Sequence, residues 1–181
     1  VTVYDAYGNI VEDYTGTVSF SSTDTYPPVL PGDYTFTIGM GGDNGTHTFT
    51  GLVLYTAGLQ DITVVDVSNS SLTDTETWTV NPAGLDHIIV SPSVWSMTAD
   101  ETVDFDAVAY DNYNNVIPSV VFVWTTNDTG ASVDSNGLFN AHTVGVWAVN
   151  ATNGTITGTA LVTVSPGSIS ILVIEDESGG I

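Results

Sequence analysis

Apolar and polar residues alternate along most of this chain. A two-residue period admits one local structure, a β-strand with one face buried and one face wet. Val103, Phe105, Ala107 and Ala109 alternate with Thr102, Asp104 and Asp106. Trp147, Val149 and Ala151 alternate with Ala148 and Asn150, and Ala160, Val162 and Val164 repeat the pattern. So do Val18 with Phe20, and Tyr34 with Phe36 and Ile38. Thr, Val, Ile and Tyr dominate these runs, as half-buried strands prefer. Between the runs lie turn formers: residues 5–9, 41–45, 134–137 and the pair Asn153-Gly154. No stretch carries a convincing 3.6-residue period. The pattern predicts an all-β fold of short strands, arranged as β-sandwiches.

The runs also repeat. Thr79-Val-Asn-Pro82 recurs 84 residues later as Thr163-Val-Ser-Pro166, and an aliphatic run follows each, Leu85 to Val90 and Ile169 to Ile174. Tyr4-Asp-Ala-Tyr-Gly-Asn9 is matched by Tyr110-Asp-Asn-Tyr-Asn-Asn115. These repeats divide the chain into residues 1–82, 83–166 and 167–181. On this division the first domain lacks an opening strand, because Tyr4 aligns with Tyr110. The last segment carries a spare strand, with Ile169, Ile171 and Val173 on one face. Exposed aliphatic strands invite pairing. The spare strand therefore belongs either to a following domain of a longer repeat protein or to a neighbouring subunit joined by strand addition.

Several pieces together resemble a known family. Residues 3–10, 14–20, 48–52 and 57–64 look like the bacterial and archaeal immunoglobulin-like repeats of large surface proteins. Residues 89–92, 103–115, 123–125, 136–139 and 159–164 resemble the related invasin/intimin-type modules. The resemblance implies two tandem immunoglobulin-like β-sandwich domains, an extracellular or cell-surface location, and a mechanical or architectural role.

Composition narrows the partners. The 181 residues include no Lys and no Arg against 21 Asp and Glu, a formal net charge of −21. An average chain of this length holds roughly twenty basic residues. Their absence reads either as drift in an acid-tolerant or surface-exposed lineage, or as protection from trypsin-like proteases. Nucleic acid is excluded as a partner, since nothing neutralises phosphate, and an anionic membrane surface repels such a chain. No apolar run is long enough to span a bilayer. With no Cys there are no disulfides or thiolate metal sites, and with no Lys there are no Lys–Asn isopeptide bonds.

Few residues offer chemistry. Asp5 with Asn9, and Asp111 with Asn115, share an Asp-x-x-x-Asn spacing. The spacing suits a turn in which Asp and Asn bond neighbouring amides. It also suits two of the six to eight oxygens that Ca²⁺ requires, and calcium is the one cofactor the sequence brings into view. Glu12, Asp13, Asp104 and Asp106 are the carboxylates available to complete such sites. The acidic run Glu175-Asp-Glu177 reads as a solvated strand end or a cation clamp. His47, His87 and His142 have no zinc spacing, and the first two fall in predicted strands. No nucleophile elbow, phosphate loop or dinucleotide fingerprint is present, so the sequence predicts no enzyme.

Glycosylation sequons stand at Asn44, Asn69, Asn127, Asn150 and Asn153, where composition alone would give about three. Asn150 and Asn153 are the positions favoured by phase and turn context. Trp124 and Trp147 read as core, whereas Trp95 reads as a loop residue before Asp100 and, with Tyr113, as a binding-surface candidate. The sequence thus supports an extracellular structural protein whose partners are copies of itself or adjacent immunoglobulin-like domains. The alternative is an adhesin gripping glycans or host proteins through loops at one sandwich end.

Overall fold

The computed structural model describes residues 1–173, and these are all-β with no helix among them. Ile174, the end of the spare strand, and the acidic run Glu175-Asp-Glu177 lie outside the described residues. Two compact units form. The first comprises Val1–Gly84 together with Asp111–Val116, and the second comprises Leu85–Tyr110 and the described residues from Ile117 onward. Residues 111–116, expected with the second domain, thus belong to the first unit. Their side chains bond first-unit backbone, as described below.

The first unit holds β1 (Thr17–Ser22), β2 (Tyr34–Thr35), β3 (Gly58–Asp66) and β4 (Thr73–Val80). They form one antiparallel sheet in the order β2-β1-β3-β4. Isolated bridges join Thr2 to Thr46, Tyr4 to Ile10 and Val29 to Val53. The run from Tyr34 to Ile38 is a strand only at its start, yet Phe36 is buried, packed edge-on against Tyr14 and Tyr34. One face of the sheet opens on a cavity of about 540 Å³ bounded by Val3, Ile62, Val64, Glu76 and Trp78.

The second unit is a β-sandwich. Its strands are β5 (Leu85–Ser91), β6 (Val94–Thr98), β7 (Thr102–Asp104), β8 (Asp106–Asp111), β9 (Val116–Ile117), β10 (Val123–Thr126), β11 (Ser132–Val133), β12 (Leu138–Asn140), β13 (Gly145–Asn153) and β14 (Ile156–Ser165). The end residues Asp111 of β8 and Val116 of β9 are counted with the first unit. The sheets run β10-β13-β14-β6, β11-β12-β7 and β5-β8-β9. The core is built by alternation: Val149 and Ala151 on β13, Ala160, Val162 and Val164 on β14, and Ile88 and Val90 on β5 are all buried. Phe105 and Phe139 are fully buried and meet edge-to-face at 6.4 Å. Gly158 lets β5 approach, since a Cβ there would stand 2.5 Å from the Ile88 carbonyl oxygen.

The run expected as one strand from Val103 to Tyr110 is two. It breaks at Phe105, whose amide bonds the Gly137 carbonyl, and the chain passes from the β12 neighbourhood to β5. Trp95, expected in a loop, lies in β6. That strand pairs in parallel with β14 over five positions, from Val94 opposite Leu161 to Thr98 opposite Ser165.

Candidate functional site

The two Asp-x-x-x-Asn turns fold alike. Asp5 accepts the amides of Tyr7 and Asn9 on Oδ1, at 2.9 and 2.8 Å, and the Asn9 side-chain amide on Oδ2 at 2.9 Å. Asp111 repeats this with Tyr113, Asn115 and the Asn115 side chain, each at 2.9 Å. Each turn closes with a backbone bond from Asp to Asn, at 2.9 and 3.0 Å. A carboxylate placed three ways against local donors satisfies a tight turn without any ion.

Their surroundings differ. Asp5, Tyr7 and Asn9 are exposed, Tyr7 at 91%. Asp111 is fully buried, and it serves residues far off in sequence. Its Oδ2 accepts the Ala83 amide at 2.8 Å. The Asn115 side chain accepts the Ala57 amide at 2.8 Å and donates to the Tyr55 carbonyl at 2.7 Å, as a neighbouring strand would. Tyr113 packs against Tyr55 and Tyr26, ring centres 4.7 and 5.1 Å away. Burial alone would raise the Asp111 pKa, but the bonds from Asn115, Ala83 and Tyr113 outweigh it and hold the carboxyl at about 2. Asp5 is lowered as well, chiefly by the Asn9 side chain.

No group of three His, Asp or Glu able to hold a metal occurs among the described residues. Asp104 and Asp106 are exposed on separate strands. Asp128, which the sequence did not single out, is buried, and its Oδ2 has no partner among the described residues. His47 lies outside any strand, stacked on Tyr34 at 3.9 Å and bonded to Asp43 at 2.6 Å. His87 stacks on Tyr110 at 5.2 Å.

A glycan attaches through the Asn side-chain nitrogen, so the sequons sort by what that nitrogen already does. Asn44 donates to Gly39 and Gly42, and Asn153 to Val121. Asn150 lies half-buried in β13 and accepts from Thr159. Asn69 and Asn127 are exposed and use only their oxygens, toward Ser71 and Ala148. Context in sequence favoured Asn150 and Asn153; the bonding geometry favours Asn69 and Asn127.

The assembly strand candidates stand free. Ile169, Ile171 and Val173 are 91%, 74% and 71% exposed and belong to no strand. Among the described residues of the segment, hydrogen bonds tie only Ser168, to Asp100, whose carboxyl is held at about 2 by Thr98 and Ser168. The adhesin candidates are less free: Trp95 sits in the β6 ladder and Tyr113 between two tyrosines.

No family model and no curated protein matches the sequence. Among solved structures the chain is similar to surface layer protein SbsC, domains 1–6, at 20% identity and a TM-score of 0.42, covering 92% of this chain and 22% of that one. It is similar to domains 4 and 5 of the same protein at 20% identity and 0.41, covering 90% and 78%. A chimeric titin Z1Z2 tandem follows at 15% identity and 0.29, covering 86% and 93%. The chain spans about a fifth of the six-domain S-layer structure.

Proposed function

We propose that this chain is a load-bearing segment of an extracellular structural protein, a surface layer, stalk or filament built from tandem immunoglobulin-like units, and that it catalyses nothing. The observation that carries the reading is the parallel pairing of β6 with β14. One strand lies near the start of the second unit and the other closes it. Tension along the chain pulls the two in opposite directions along their shared axis, so their ladder bonds are sheared together rather than opened singly. Two such bonds mark its ends, Leu161 N–H to Ser93 and Ala99 N–H to Ser165, at 3.0 and 2.9 Å. In the slanted pattern of a parallel pair, these bonds turn the odd-numbered amides of β6 toward β14.

Stretching single molecules by their ends tests this. Trp95→Pro removes a donor from the ladder, whereas Ser96→Pro removes one that faces away. The reading expects the unfolding force of the second unit to fall by about half or more in the first variant and to change little in the second. Equal forces in all three proteins would refute it.

In its finer form the reading includes strand addition. In the second unit, β5 covers the buried faces of β13 and β14 with Ile88 and Val90. The corresponding face of the first unit carries the open cavity. On the 84-residue repeat Ile169, Ile171 and Val173 fall at the places of Leu85, His87 and Ile89, and Leu172 at that of the buried Ile88, so the segment offers aliphatic side chains to that cavity from either face. Ile171→Asp with Val173→Asp should leave folded chains that no longer assemble. Assembly unchanged by the pair would remove strand addition from the reading.

A further inference from the structure

The chain contains two copies of one turn, and only one of them is engaged by distant groups among the described residues. The engaged copy, Asp111–Asn115, holds three backbone groups: the Tyr55 carbonyl, the Ala57 amide and the Ala83 amide. The first two flank Thr56, immediately before Gly58, which opens the nine-residue strand β3 with a positive φ of 116°. Gly145 opens the nine-residue strand β13 in the same way, with a φ of 152°. The matching groups before it are the His142 carbonyl and the Val144 amide. The repeat that relates Pro82 to Pro166 relates the Ala83 amide to that of Gly167.

None of these three groups bonds a partner among the described residues. His142 and Val144 are exposed. The unengaged turn, Asp5–Asn9, has the same internal bonds and the same shape. Its Asn9 Oδ1 and second amide hydrogen point to no partner among the described residues. Tyr7, which corresponds to Tyr113, lies almost wholly in solvent.

We infer that the Asp5–Asn9 turn is a docking element for a second copy of this chain. Asn9 takes the His142 carbonyl and Val144 amide of that copy, Asp5 takes its Gly167 amide, and Tyr7 lies on its His142. The second copy is the partner because this chain itself carries the complementary groups, placed relative to the Gly145–Val164 pair as the groups bound by the sister turn are placed relative to the Gly58–Val80 pair. The contact joins two different surfaces, the turn of one copy and the 142–167 groups of the next, so it can repeat from copy to copy. It needs no charge complementarity, which a chain without Lys or Arg cannot provide. The inference deepens the structural reading above by naming the surfaces that join copies, and it is tested separately from it.

Because the chain has no Cys, engineered pairs report without background. Tyr7→Cys and His142→Cys both alter exposed side chains, so folding survives. The two variants, mixed under mild oxidation at 0.5 M NaCl, are expected to give a disulfide-linked dimer. A chain carrying both substitutions is expected to give a ladder of multimers. Adding Asn9→Ala, which removes a two-bond contact, should cut the yield by about tenfold. Met40→Cys, at another exposed position, paired with His142→Cys sets the random level. A yield no greater than that level overturns the inference, as does a yield indifferent to Asn9→Ala or a preference of Tyr7→Cys for itself. Failure here leaves the stretching result for β6 and β14 untouched, so the two proposals fall independently.

Discussion

At the scale of single residues, Asp111 carries the most consequence, because a fully buried carboxylate is tolerated only while its oxygens are satisfied. Four donors satisfy it, three from its own turn and one from Ala83. Asp111→Ala removes the acceptor and strands those donors, at a cost of about 2–3 kcal/mol, measurable by urea unfolding at pH 7. The same residue sets a pH dependence. Its folded pKa, about 2, lies below the ordinary 3.8, so the unfolded chain takes up the proton first as pH falls. The stabilisation is complete above 3.8 and is lost toward 2. Stability of the parent should therefore fall across that interval more steeply than that of Asp111→Ala. Parallel profiles would mean that the carboxylate contributes nothing in its charged form. Glycans are decided at this scale too. In a host that modifies sequons, peptide mass spectrometry should find Asn69 and Asn127 occupied ahead of Asn44 and Asn153, whose nitrogens are committed to backbone carbonyls. The reverse order would mean that modification precedes folding.

At the scale of strands, the second unit depends on the close approach of β5 to β14. Gly158→Val should destabilise it by about 3 kcal/mol or more, because the new Cβ would press on Ile88 backbone that cannot swing aside. Thermal melting reads this directly, and a shift of under a degree would show that β5 is not seated there. Strands β13 and β14 were legible from the sequence because alternation persists in them: β14 buries alternate residues over most of its length, and β13 buries Val149 and Ala151. The break at Phe105 was not legible. Val103, Phe105 and Ala107 keep their alternation while the chain changes partners, and a two-residue period carries no record of which strand lies alongside. Strand β6 escaped for a related reason, since its partner lies more than sixty residues away and its exposed Val94 and Trp95 interrupt the pattern. The Asp-x-x-x-Asn motif was visible twice, and its turn geometry follows from residue type. What the second copy binds was hidden, because Tyr55, Ala57 and Ala83 take part through backbone groups that every residue shares.

At the scale of the whole molecule, charge governs whether copies can meet at all. Every copy carries −21 with no Lys or Arg to offset it, so any two repel. At 10 mM salt the repulsion reaches about 30 Å, and at 150 mM about 8 Å. Association of this chain should therefore strengthen several-fold over that range, measured by sedimentation across a concentration series. Divalent ions raise a sharper question. The described residues offer no chelating cluster, so we propose that Ca²⁺ acts between copies, where exposed carboxylates of two molecules are brought together, and that Mg²⁺ substitutes for it. Millimolar Ca²⁺ should then promote association beyond NaCl of equal ionic strength, and EDTA should reverse the gain without lowering the melting temperature of the isolated chain. Each arm separates a cause. Equal effects of Ca²⁺ and matched NaCl would leave screening alone and end the bridging proposal. A fall in melting temperature with EDTA would place a metal inside a single copy, against the hydrogen-bonded state of Asp5 and Asp111. A strong preference for Ca²⁺ over Mg²⁺ would point to the larger, more flexible oxygen shell that calcium accepts, and would also end the proposal in its bridging form.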